Sequence, residues 1–122
     1  MVHHVALEVR PDLMAAEGKF WVAAGFEPVA APEGLGAGFD WYEREGTQIH
    51  VMAVGQPGEP SRRGHVAIVA PDFEATLARL GEEGFEVSET RNLWGARRAK
   101  GRTPAGHLVE LMEFPPRPAE AG

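Results

Sequence analysis

The chain has 122 residues, 43% hydrophobic and 25% charged, a size and balance that fit one domain with a real core. Its 12 Lys and Arg stand against 18 Asp and Glu, a formal net charge of −6, which argues against a broad phosphate-backbone surface and so against nucleic acid as a partner. Cysteine is absent, which excludes disulfides, thiolate nucleophiles and zinc–thiolate sites.

The N-terminal stretch "MVHHVALEV" lacks a basic region followed by an apolar one, and no run approaches about 18 apolar residues, so no membrane partner and a cytoplasmic location are expected. Val5, Leu7 and Val9 alternate with His4, Ala6 and Glu8, the pattern of a half-buried strand. Asp12 is expected to N-cap a helix over residues 13–24, with Leu13, Ala16, Phe20 and Ala24 on its apolar face and Gly25 closing it. "FEPV" reads as a short strand, residues 30–38 as a Gly/Pro-rich loop, and "FDWYERE" with "TQIHVMAV" as a hairpin around Gly46.

After residues 55–64, a Gly/Pro-rich linker, the order begins again. "HVAIVA" is a strand, Asp72 a cap, and "FEATLARLGEE" a helix presenting Phe73, Leu77 and Leu80 and ending at Gly84. "FEVSE" is a strand, and "ARRAKGR" and "HLVELMEF" form a hairpin turning at "TPAG". The chain thus reads as an α+β fold of two tandem βαβββ modules, 2–54 and 65–114. The tail 115–122 has nothing to bury and is expected to fray.

The registers support duplication. "GTQIHVM" aligns with "GHLVELM", which sets His50 opposite Glu110; the separations from the two strand-heading histidines, His4 and His65, are 46 and 45 residues. Alternation puts the apolar side chains of each strand on the helix-covered face. His4, His50, His65 and Glu110 then fall on the open face, and the expectation is that they meet where the two sheets face one another. Three imidazoles and a carboxylate suit one divalent metal ion of intermediate softness: Zn²⁺, Ni²⁺, Co²⁺, Fe²⁺ or Mn²⁺. His3 and His107 have the opposite parity and read as packing or surface residues.

The doubled βαβββ unit, "HVAL" and "HVAI" heading two strands, and "AGHLVEL" near the end resemble the vicinal oxygen chelate superfamily over residues 2–114. That superfamily includes glyoxalase I, methylmalonyl-CoA epimerase, extradiol dioxygenases, fosfomycin-resistance enzymes and bleomycin-resistance proteins. The resemblance implies a U-shaped sheet around a metal cleft, often completed between the chains of a dimer, with ligands at His4, His50, His65 and Glu110. Two departures stand out. The turn "TPAG" replaces a more usual Asp-Pro-Asp-Gly, and His50 stands where glyoxalase-like enzymes more often place Glu or Gln.

Three functions follow from the resemblance. The first is a glyoxalase-like lyase, isomerase or epimerase that chelates adjacent oxygens of a small organic substrate and moves a proton, with Glu110 and His50 as catalytic groups and His50 either fourth ligand or base. The second is an Fe(II) extradiol-type dioxygenase. The third is a metal-free, bleomycin-resistance-like binding protein. Trp41 and Trp94 are candidate cleft walls, Met52, Leu108 and Met112 a candidate apolar lining, and Arg98, with Lys100 and Arg102, a candidate anion clamp. A homodimer is expected, because each module leaves a concave face open.

Overall fold

The computed structural model describes residues 1–117, so the part of the expected frayed tail at 118–122 lies outside the described residues. The first module runs β1 (His4–Val9), α1 (Met14–Ala23), β2 (Glu27–Val29), β3 (Phe39–Arg44) and β4 (Thr47–Ala53). The second repeats the order with β5 (Val66–Val69), α2 (Phe73–Glu82), β6 (Val87–Thr90), β7 (Arg98–Arg102) and β8 (Leu108–Met112). Each module is a four-stranded mixed sheet, in the orders β1-β4-β3-β2 and β5-β8-β7-β6. The first and last strands of each pair in parallel, the rest antiparallel. No helix of the described residues is long and apolar enough to cross a membrane.

Local chemistry explains most boundaries. The side chain of Asp72 accepts a hydrogen bond from the Ala75 amide at 3.1 Å and caps α2 as expected. Asp12 does not cap α1. Pro11–Leu13 form a 3₁₀ turn, α1 begins only at Met14, and the Asp12 carboxylate is taken by Arg10 at 2.6 Å. The buried face of α1 keeps the expected Phe20 and Ala24, with Leu13 packed at its edge, and adds Glu17 and Trp21, while Ala16 is only half-buried. Trp21, with its large apolar area, outweighs the smaller Ala16 in choosing the inner face. Glu45 and Gly46 both take positive φ, 49° and 83°, the geometry of a two-residue hairpin turn.

The helix-facing residues of both sheets share one apolar cluster: Leu7, Val9, Ile49 and Val51 from the first, Ile68, Val109 and Leu111 from the second, joined by Phe20, Trp21, Phe73 and Leu80 from the helices. Polar contacts reinforce the join. The Glu17 carboxylate accepts from the Ala105 amide at 2.9 Å, Arg79 donates to the Ala23 carbonyl at 3.2 Å, and His107 Nε2 donates to the Glu8 carbonyl at 2.9 Å. A shared interior of this kind turns the other face of each sheet away from the core. Ala6, Glu8 and Ala67 on those faces are exposed.

Candidate functional site

Strand register decides which side chains share the open faces. On the first sheet His4 and Glu8 of β1 lie alongside Gln48, His50 and Met52 of β4, and Trp41 and Glu43 of β3 sit opposite His50 and Gln48. On the second, Leu108, Glu110 and Met112 of β8 lie opposite Arg102, Lys100 and Arg98 of β7, with His65 at the head of β5. The nominated strand residues therefore divide between these two faces: His4, Trp41, His50 and Met52 on the first, Arg98, Leu108, Glu110 and Met112 on the second. Trp94 lies in the loop before β7.

The first face carries a stack of three rings. His50 is parallel to Trp41, with centroids 3.8 Å apart, and nearly parallel to His4 at 4.0 Å. His3 Nδ1 lies 3.0 Å from His4 Nδ1. The Nε2 of His50 donates to Gln48 Oε1 at 2.7 Å, and Gln48 Nε2 donates to Glu43 Oε1 at 2.8 Å. Burial, and then the neighbouring His4 and His3, lower the pKa of His50 below that of an ordinary imidazole, so the ring is neutral at pH 7. Parallel imidazoles present their in-plane lone pairs side by side, not toward a common point. In this arrangement His4 and His50 cannot both reach one ion at about 2.0–2.1 Å.

The second face is built differently. His65 Nδ1 donates to the Arg63 carbonyl at 2.8 Å, and a carbonyl can only accept, so the proton belongs on Nδ1. The lone pair on Nε2 then points at the carboxylate of Glu110, with Nε2 and Oε1 3.1 Å apart. Two acceptors at that distance need a cation between or on them, either a second proton on the ring or a metal ion. Two ligands bound at about 2.1 Å and near a right angle would themselves lie about 3 Å apart. A histidine whose other nitrogen donates to a backbone carbonyl is the common arrangement of a metal-bound imidazole.

Glu110 is 6% exposed. Its Oε2 accepts from Arg98 Nε at 2.8 Å, and Arg98 also donates to the Arg91 carbonyl and lies over the Trp94 ring at 4.9 Å. Arg98, nominated as an anion clamp, thus holds the carboxylate, and Trp94 supports Arg98. Lys100 stands opposite Glu110 and is half-buried. Met112 is buried and Met52 and Leu108 are half-buried, so apolar surface borders both pairs.

The structure brings His4 to His50 and His65 to Glu110. It does not bring the two pairs together: among the described residues no group of three or more His, Asp or Glu is placed to hold a metal. The donor types fit a divalent cation, while one chain supplies only half of the set on each face. A cleft of about 570 Å³ lies elsewhere, between the helices, bordered by Gly18, Val22, Tyr42 and Arg79. Sequence reasoning missed Gln48 and Glu43, although Gln48 is two residues from His50 on the same strand and so necessarily on its face.

Comparison with known proteins agrees with this architecture. A glyoxalase family protein from Bacillus anthracis has a TM-score of 0.80 at 23% identity, over 92% of this chain and 93% of that one. A mutant of the fosfomycin resistance protein FosX from Listeria monocytogenes, solved with Mn(II) and dihydroxypropylphosphonic acid, scores 0.73 at 18% identity, over 94% and 90%. Lactoylglutathione lyase from Agrobacterium tumefaciens scores 0.66 at 17% identity, over 92% of each chain. At these identities the likeness is one of fold. No curated protein matches the sequence. The family signature matches residues 2–111, nearly the whole described chain, and the protein belongs to the Glyoxalase/Bleomycin resistance protein/Dioxygenase superfamily.

Proposed function

We propose that the protein is a metal-dependent enzyme of this superfamily, active as a homodimer, in which His4 of one copy joins His65 and Glu110 of the other around a divalent ion. The observation that carries the reading is the His65–Glu110 pair, two acceptors 3.1 Å apart whose geometry asks for a cation. The two outward-facing half-sites support assembly from two copies, because neither is completed by the described residues of one chain. A resident divalent ion supplies charge stabilisation for oxygens of a bound substrate.

The chain's own groups do the rest. Arg98 orients the Glu110 carboxylate, and Met52, Leu108, Met112 and Trp41 exclude water from a small organic substrate. His50 is neutral and faces the same side as His4, which suits it to accept a proton from a carbon made acidic beside a carbonyl. The resulting reaction is a glyoxalase-like isomerisation, epimerisation or elimination. A second reading has a specific observation in its favour: the His4–His50 stack leaves two histidines and one carboxylate as the convergent set, the donor type of non-haem Fe(II) oxygenases.

Metal analysis of protein purified without chelator, with added Ni²⁺, Zn²⁺, Mn²⁺ or Fe²⁺, is the test. One ion per chain, lost in His65→Ala and in His4→Ala, together with a dimeric mass, is the expected result. Turnover in the absence of air with a redox-inert ion selects proton transfer; dependence on Fe²⁺ and O₂ with ring cleavage of catechols selects oxygenation. A protein that binds none of the ions overturns both and leaves a metal-free binding protein.

A further inference from the structure

We propose that Glu43 and Gln48 are positioning residues that fix His50 as its Nε2–H tautomer, withhold it from the metal and leave Nδ1 as its one open acceptor. The inference rests on the metal reading only in its second clause. Glu43, Gln48 and His50 lie on one face of adjacent strands, so the chain between them is short and rigid. An ionised carboxylate only accepts hydrogen bonds. Gln48 must therefore turn its NH₂ toward Glu43, at 2.8 Å, and its carbonyl toward His50, at 2.7 Å. A carbonyl also only accepts, so Nε2 of His50 must carry the hydrogen. The polarity of one half-buried acid is passed through an amide to select one of two nearly equal forms of an imidazole.

Three further observations bear on the consequence. Trp41 and His4 clamp the ring from both sides, so rotation of His50 breaks two stacks. Nδ1 makes no hydrogen bond among the described residues, yet no buried side-chain nitrogen or oxygen is left unpartnered, so Nδ1 is open to solvent. His65, by contrast, is held with its hydrogen on Nδ1 by the Arg63 carbonyl, which leaves Nε2 toward Glu110. The two modules thus lock histidines of the proposed centre in opposite tautomers, one presenting Nε2 to a cation and one presenting Nδ1 to a substrate hydrogen.

Long-range ¹H–¹⁵N correlation spectra of the full chain at mildly alkaline pH read the tautomer of each ring directly, with His50→Asn assigning the signals. In the metal-free protein His50 is expected as Nε2–H and His65 as Nδ1–H. Glu43→Lys replaces the acceptor by a donor, which turns the amide around and inverts His50 to Nδ1–H, a change of at least tenfold in the tautomer ratio. Gln48→Lys keeps Glu43 paired while offering His50 only a donor, and it gives the same inversion if Glu43→Lys does not fold. Wild-type His50 as Nδ1–H, or Nε2–H retained in the folded variants, overturns the proposal. Saturating Zn²⁺ leaves the His50 pattern in place and shifts those of His4 and His65; a shift of His50 to a metal-bound pattern overturns its exclusion from the ion. Failure of the wild type to take up Zn²⁺ would count against the metal reading alone, since the tautomer is decided without it.

Discussion

The buried carboxylate of Glu17, on the first module's helix, accepts the backbone N–H of Ala105 in the second module's last turn at 2.9 Å. It also accepts from Trp21 Nε1 at 3.3 Å, is 0% exposed, and has no ion-pair partner among the described residues. Glu17→Ala would strand both donors in the interior and leave a void. The expected loss is about 2–4 kcal/mol of stability, measured by urea unfolding. A loss below about 0.5 kcal/mol would mean that water replaces the carboxylate without cost.

Gly18 sits where a Cβ would come within 2.2 Å of the Tyr42 hydroxyl. Helix propensity alone predicts that Gly18→Ala stabilises by about 1 kcal/mol. Packing predicts the opposite, because the phenol ring is stiff and the displacement propagates to β3, at about 1–3 kcal/mol. The net effect should be destabilising, and Tyr42→Leu should remove most of it in a double-mutant cycle. Stabilisation by Gly18→Ala alone would place the ring elsewhere.

The turn Glu45-Gly46 holds a non-glycine residue at φ 49°. Glu45→Asn suits that conformation better and should raise stability by about 0.5–1 kcal/mol. The Arg44–Glu45 pair, at 3.6 Å with Glu45 exposed, contributes too little to reverse the sign. A higher midpoint of thermal unfolding is the measurement.

Arg98 anchors Glu110 from a position only 10% exposed at its side chain. Arg98→Met removes the pair's cation and leaves a buried carboxylate facing His65 alone. Stability should fall by about 3 kcal/mol or more. Divalent-ion affinity, read by calorimetry, should fall about 10–100-fold through loss of ligand orientation. Lysine at this position cannot reproduce the two directions in which the guanidinium donates, so it rescues only part.

His50 titrates below the ordinary value of 6.5, chiefly through burial, and then through His4 and His3. A base whose folded pKa is depressed binds fewer protons in the native than in the unfolded state near that pH. Stability therefore rises with pH across this window and is lost as pH falls through 6.5 toward the folded value. In metal-free protein, His50→Gln should flatten the slope of unfolding free energy between neutral and mildly acid pH. An unchanged slope would remove His50 from the account.

The fold was legible because two independent periodicities agreed: the alternation of Val5, Leu7 and Val9 and its counterpart in Val66, Ile68 and Ala70 fix one face of each sheet. The open-face identity of His4, His50, His65 and Glu110 follows from the same parity. What could not be read was distance. Parity says which side a residue takes, not which sheet lies across from it, so the separation of the two pairs within one chain was invisible. Cap chemistry failed at Asp12 because a nearer competitor, Arg10, took the carboxylate. The Glu43–Gln48–His50 chain was hidden because its members are ordinary polar strand residues until cross-strand register aligns them.

The strands stop at Ala53 and resume at Val66, yet the apolar interior belongs to both halves. The segment between them is exposed around Glu59 and adds nothing to that interior; it is tied to the sheets by hydrogen bonds, from Gly58 to Glu8 and from Arg102 to the Ser61 and Arg62 carbonyls. A protease nick there would sever the polypeptide and leave its fragments clasped, and the halves expressed as separate polypeptides would find each other. The intact chain differs from that complex mainly in the high local concentration at which its fragments meet.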